Sequence, residues 1–198
     1  MVLLIISMTA APAVGATTPS RIGSRSLPPA SEKTLKKLFD PMLEQLGLHT
    51  TRAHLQSLRT YDISKHGRHL AVYVEPIKNS YTDAEYVKNF VTVAQVFLPM
   101  VYDRWAGLKS FDVCQEPLPK EHAGREPPPV TQLIVTRSAK DAVDWEHAKL
   151  VDVIAAANLY SRAQKNDRDF GVFFIDRLEQ QSELKQARAA ATGYRAIG

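Results

Sequence analysis

A few histidines, one cysteine and a set of carboxylates are the residues of this sequence whose types and spacing could do chemistry. His66 and His69 stand three apart, a spacing that on a helix aims two imidazoles at one metal ion. Gly67 and Arg68 between them read as a turn leading into a strand, so both are expected to be surface histidines. Cys114 and His122 could form a thiolate and its base. Reactive thiols sit in electropositive surroundings, however, and Asp112, Glu116 and Glu121 make this neighbourhood acidic. Cys114 is therefore expected to be buried, unreactive and unpaired. Glu75, Asp112 and Glu116 fall on strand-like segments and could place carboxylates on one sheet face. Glycoside hydrolysis needs such a pair at a defined separation, which spacing along the chain does not set. The sequence has no Gly-rich phosphate loop, no G-x-S-x-G and no H-E-x-x-H. No residue is assigned a catalytic, cofactor-binding or metal-ligating role, and no cofactor is expected.

The elements that would position these residues are legible as periodicity. Residues 31–48 read as helical, with Leu35, Leu38, Phe39, Met42 and Leu46 on one face and Gly47 as terminator. Pro41 either kinks this helix or opens a second short one behind Asp40. Residues 51–59 read as another short helix, followed by a strand at 61–64 and a turn at 65–68. Residues 69–75 alternate as a strand, with Leu70, Val72 and Val74 on one side. Thr82 and Glu85 form a capping box. Behind it Val87, Phe90, Val91, Ala94, Phe97, Leu98, Val101 and Trp105 make an apolar helical stripe, with Pro99 inside and Gly107 at its end.

Residues 110–116 read as a strand with Phe111 and Val113 opposite Asp112 and Cys114. Residues 117–129 are polar and proline-rich, and are expected to be a mobile surface loop that carries recognition. The strand at 130–136 is apolar on both faces, which predicts cover on both sides, including cover of the Cys114 face by the helix at 31–48. Ser138 and Asp141 offer a second capping box, ahead of a helix at 145–162. Residues 170–175 read as a strand that could equally start the last helix, and 178–191 are helical. The expected core is Leu70, Val72, Val74, Phe90, Phe97, Val101, Phe111, Val113, Leu133, Val135 and Ile154, with Trp105 and Trp145 as anchors. From His69 the order is β-α-β-β-α-β. The expected fold class is α+β, a ferredoxin-like βαββαβ sandwich with extra N-terminal helices on the other sheet face.

The chain has 198 residues, 44% hydrophobic and 23% charged, a balance that suits one globular domain. A single cysteine excludes an intramolecular disulfide and a multi-Cys metal site. Residues 1–16 carry no charge, hold an apolar run at 2–8 and end in Val14, Gly15 and Ala16, small residues like those at a signal-peptidase site. Residues 1–16 are thus expected to be a signal peptide cleaved near Ala16, 17–30 a flexible linker and 31–198 a single α+β domain. No other stretch is apolar enough to span a bilayer, so no transmembrane helix is expected in the mature chain. The net charge is +4, and the basic excess lies around Arg21, Arg25, Lys33, Lys36 and Lys37. A solvated helix face and a basic linker account for it. Nothing in the pattern points to nucleic acid.

The strings DRWAGL, FDVCQEP and PPPVTQLIVTR, with the signal-like start, resemble small exported proteins of unknown function from mycobacteria and related high-GC Gram-positive bacteria. The resemblance covers roughly residues 60–160. It implies a secreted or cell-envelope location and no particular activity. The expected function is an exported non-catalytic domain that binds an envelope component or a protein partner. The alternative is an envelope hydrolase whose carboxylate or His residues converge only in three dimensions.

Overall fold

The computed structural model describes residues 30–56, 69–122, 126–164 and 169–192. The expected signal peptide, all but the last residue of the linker, the strand at 61–64, the turn at 65–68 and His66 lie outside the described residues. Five strands form one sheet in chain order: β1 (Leu48–Gln56), β2 (His69–Pro76), β3 (Ser110–Gln115), β4 (Thr131–Thr136) and β5 (Phe170–Phe174). The helices are α1 (Glu32–Leu43), α2 (Asp83–Arg104), the four-residue α3 (Pro119–His122), α4 (Leu150–Gln164) and α5 (Ser182–Thr192). The fold is mixed α+β. Only β2 and β3, joined through α2, are parallel; the other neighbours are antiparallel.

This sheet order corrects the ferredoxin-like expectation. The chain does run β-α-β-β-α-β from His69, but a ferredoxin-like sheet inserts a strand between the two parallel ones. Here β2 and β3 are direct neighbours, and β3, β4 and β5 follow as antiparallel neighbours in chain order. The segment read as a short helix at 51–59 is also corrected, because through Gln56 it belongs to β1 and pairs with β2. Its run of Thr and His residues suits a pleated edge strand once a partner is beside it.

Helix α2 is the pillar of the core, and its local signals are as expected. Glu85 N donates to Thr82 Oγ1 at 3.3 Å, and Thr82 N donates to Glu85 Oε2 at 2.6 Å, which completes the capping box. At the other end Arg137 donates to the carbonyls of Tyr102 and Trp105 at 2.9 and 2.8 Å. A cation there satisfies carbonyls that lack helical partners and complements the helix dipole. Phe97 meets Phe111 of β3, with ring centroids 5.6 Å apart, and Phe39 of α1 at 4.6 Å, while Phe90 meets Phe174 of β5 at 4.6 Å. Every residue of the expected core is buried. Trp145 is buried and stacks on Phe170, whereas Trp105 is only partly buried.

Because Phe39 reaches Phe97, and Phe97 reaches Phe111, α1 lies on the same sheet face as α2. This corrects the expectation that it covers the opposite face. Pro41 sits inside α1 without ending it; the helix runs to Leu43 and closes through Gly47, whose φ of 72° is the left-handed stop that glycine tolerates. In β4 only alternate residues are buried, and Ile134 stays half-buried, so the strand is not covered on both sides. The second capping box does not form: residues Lys140–Ala142 make a 3-10 turn with no side-chain cap, and the helix behind it starts at Leu150 rather than 145. Residues 170–174 are strand, as read. Among the described residues no helix is long and apolar enough to cross a membrane.

Candidate functional site

The sheet face away from the helices gathers most of the polar chemistry. Strand pairing sets Arg52, Tyr73, Cys114, Gln132 and Phe173 in one row across all five strands. The neighbouring row holds His54, Ala71, Asp112, Ile134 and Gly171. Arg52 reaches this face only because β1 carries an irregularity between Thr50 and Arg52. One extra residue in a strand re-aims the side chains beyond it. Both Thr51 and Arg52 are thereby delivered to Glu116: Thr51 Oγ1 donates to Glu116 Oε2 at 2.6 Å, and the Arg52 guanidinium meets Glu116 Oε1 at 2.6 Å and Glu126 at 2.5 Å. The same guanidinium stacks over the Tyr73 ring, 4.0 Å from its centroid. Burial, reinforced by Cys114, pushes the Tyr73 phenol up to about 12 against the pull of Arg52.

Glu75, Asp112 and Glu116 do share one sheet face, as the alternation predicted. Each is met by a different set of donors. Glu75 lies between two imidazoles, His49 Nε2 at 3.1 Å and His122 Nε2 at 3.4 Å, one on each oxygen. Asp112 Oδ2 accepts from Gln132 Nε2 at 2.8 Å and lies 3.5 Å from His69 Nε2, while its Oδ1 is buried with no hydrogen-bond partner. Burial pushes the Asp112 carboxyl up to about 7, opposed by the Gln132 bond.

His69 is a correction: it is buried, not a surface histidine. Its Nδ1 lies 2.6 Å from Ser110 Oγ, so Ser110, His69 and Asp112 form a contiguous Ser-His-Asp chain. The chemistry of a nucleophile, base and orienting acid needs a serine that substrate can reach and a firm acid–imidazole hydrogen bond. Here Ser110, His69 and Asp112 are only 3%, 6% and 6% exposed, and the Asp112 contact is long for a hydrogen bond. Burial lowers the His69 pKa, which disfavours the charged imidazole. The trio is a buried polar network. Its signal in the sequence was the same-face spacing of Ser110 and Asp112, but only strand pairing supplies His69.

Cys114 is free and buried, as expected, though α1 is not what covers it. Burial pushes its thiol well up, with Asp112 and Glu116 adding to the effect. His122, its candidate base, is held at Glu75. Maleimide labelling of the folded domain is expected to stay slow until denaturant is added. Rapid labelling, or a dimer seen only without reductant, would show an accessible thiol.

The proline-rich connection at 117–129 is anchored at its start, and its described residues from Glu126 to Pro129 lie at the surface. Pro117 and Leu118 are buried, Tyr86 Oη donates to Glu116 O at 2.9 Å, and Lys120 Nζ donates to Asn79 O at 3.2 Å. Beside it lies a groove of about 660 Å³, within the range of ligand sites. Pro117, Pro127, Pro128, Val130 and Ile175 give it an apolar lining. Glu121, His122, Glu126 and Arg177 supply its polar edge. It sits where β3 ends and α2 begins, since Arg177 pairs with Asp83 at 3.0 Å. The carboxyl end of parallel strands is the usual ligand position in open α/β sheets. Two other hollows, of about 340 and 840 Å³, border residues 141–148 and touch neither polar cluster. Among the described residues no three His, Cys, Asp or Glu side chains are placed to hold a metal ion. No family model, no curated protein and no solved structure matches this chain.

Proposed function

We propose that this chain is an exported, non-catalytic binding domain that takes a segment of a protein partner into the groove lined by Pro117, Pro127, Pro128, Val130 and Ile175. The observation that carries this reading is the groove itself: a preformed, proline-lined concavity at the carboxyl end of the parallel strand pair. Prolines offer stiff apolar surface at little entropic cost, and the ion pairs around the edge hold its walls in place. The uncharged apolar start and the small residues before Thr17 support export to the cell envelope or medium.

Selection of displayed peptides on the purified chain tests it. Peptides should be enriched whose binding falls at least about tenfold on Ile175→Asp in the groove and is unchanged by Leu159→Asp outside it. Enrichment indifferent to Ile175→Asp would remove the groove as the recognition site. One observation favours the alternative, an envelope hydrolase: the Ser110, His69 and Asp112 contacts. A fluorophosphonate adduct on Ser110 of the folded domain would establish that alternative instead.

A further inference from the structure

Two guanidinium groups flank the groove, and each is shared by two carboxylates. Arg52 meets Glu116 and Glu126 at 2.6 and 2.5 Å. Arg177 meets Asp83 and Glu121 at 3.0 and 3.4 Å. Each set therefore carries one negative charge more than it neutralises. The buried member of the first set, Glu116, has a side chain only 4% exposed and is also held by Thr51. Its outer partner Glu126 is 68% exposed and Glu121 is 33% exposed, and both line the groove. Glu75 adds a third carboxylate behind His122. Of the groups that line the groove, two carboxylates, Glu121 and Glu126, face the single guanidinium of Arg177, while Lys120 on the same connection donates to the Asn79 carbonyl. This acidity is local, because the whole chain is net positive at +4. The prolines of the lining add backbone carbonyl acceptors and no N–H donors. Apolar floor, surplus acceptors and surplus negative charge all call for the same complement.

We propose that the groove accepts an extended, basic segment of a protein partner, in which Lys or Arg side chains alternate with apolar ones. This rests on the reading of the groove as the recognition site. The apolar side chains cover Pro127, Pro128, Val130 and Ile175, and the cations complete the two half-neutralised sets at Glu121 and Glu126. Complementary charge of this kind selects partners and speeds encounter more than it adds affinity.

The test uses the full chain and three labelled peptides monitored by fluorescence anisotropy: Lys-Pro-Val repeats, their Gln-Pro-Val analogue and their Glu-Pro-Val analogue. The Lys peptide is expected to bind about tenfold more tightly than the Gln peptide and to weaken as salt is raised, with the Glu peptide weakest. Glu121→Gln with Glu126→Gln should abolish the preference for Lys over Gln. Asp141→Asn, a solvated carboxylate outside the groove, should leave it intact. Equal binding of all three peptides, still lost on Ile175→Asp, would overturn the basic-partner inference and leave the groove reading standing. Binding of the Lys peptide that ignores Ile175→Asp would overturn both.

Discussion

Replacing Asp112 by Asn is expected to raise the unfolding free energy at about pH 8 by on the order of 4 kcal/mol, and to change it little at about pH 3. Asp112 sits on the central strand with Oδ1 unpartnered and Oδ2 shared between Gln132 and, more distantly, His69. Burial moves its carboxyl from the ordinary 3.8 up to about 7. Between these values the folded domain holds a proton that the unfolded chain has released. The stability tied to that proton is therefore fully present below the unfolded value and is lost as pH rises through about 7. Asn buries no charge and keeps an oxygen for Gln132, so the difference between variant and wild type should grow across that window. His69 acts in the opposite direction: burial lowers its pKa, so its contribution fades as pH falls from 6.5 through the folded value. Urea unfolding of the two proteins over a pH series measures the difference. A difference that stays flat would mean that Asp112 is ionised and satisfied in the folded domain.

Phe97→Ala is expected to cost about 3–5 kcal/mol, a large part of the stability of an ordinary domain. Phe97 is fully buried and touches Phe39 of α1 and Phe111 of β3, so one ring joins two helices to the sheet. Truncation loses the transfer energy of the ring and leaves a cavity between elements too rigid to close it. Phe97→Leu should recover more than half of the loss, because it refills most of the volume. Chemical denaturation at one pH is sufficient to compare the three proteins. A loss below about 1 kcal/mol for the alanine variant would place the α2 stripe outside the sealed core.

Local pattern by itself determined much of this protein. The capping box and apolar stripe marked α2, and alternation marked β2 and β3 and told which residues share a face, while β4 was marked by an apolar run and β5 stayed open between strand and helix start. That is why Glu75, Asp112 and Glu116 could be grouped on one face and why the core residues could be named. These signals act within a few residues and depend on period alone. What they do not encode is adjacency. The sequence LHTTRAHLQ has no strong period, and it becomes β1 only because β2 offers a ladder beside it. The extra residue at Thr51 then reverses the alternation and turns Arg52 onto Glu116, an outcome no periodic reading contains. Pairing of His69 with Ser110 across parallel strands likewise converts an apparent turn histidine into a buried one. Cys114 is buried as its type suggested, but on a face that α1 never reaches. The groove arises where residues from 117 to 177 meet at one end of the sheet. Strand order decided each of these features, because contacts between residues distant in the chain form only after the sheet has chosen its neighbours.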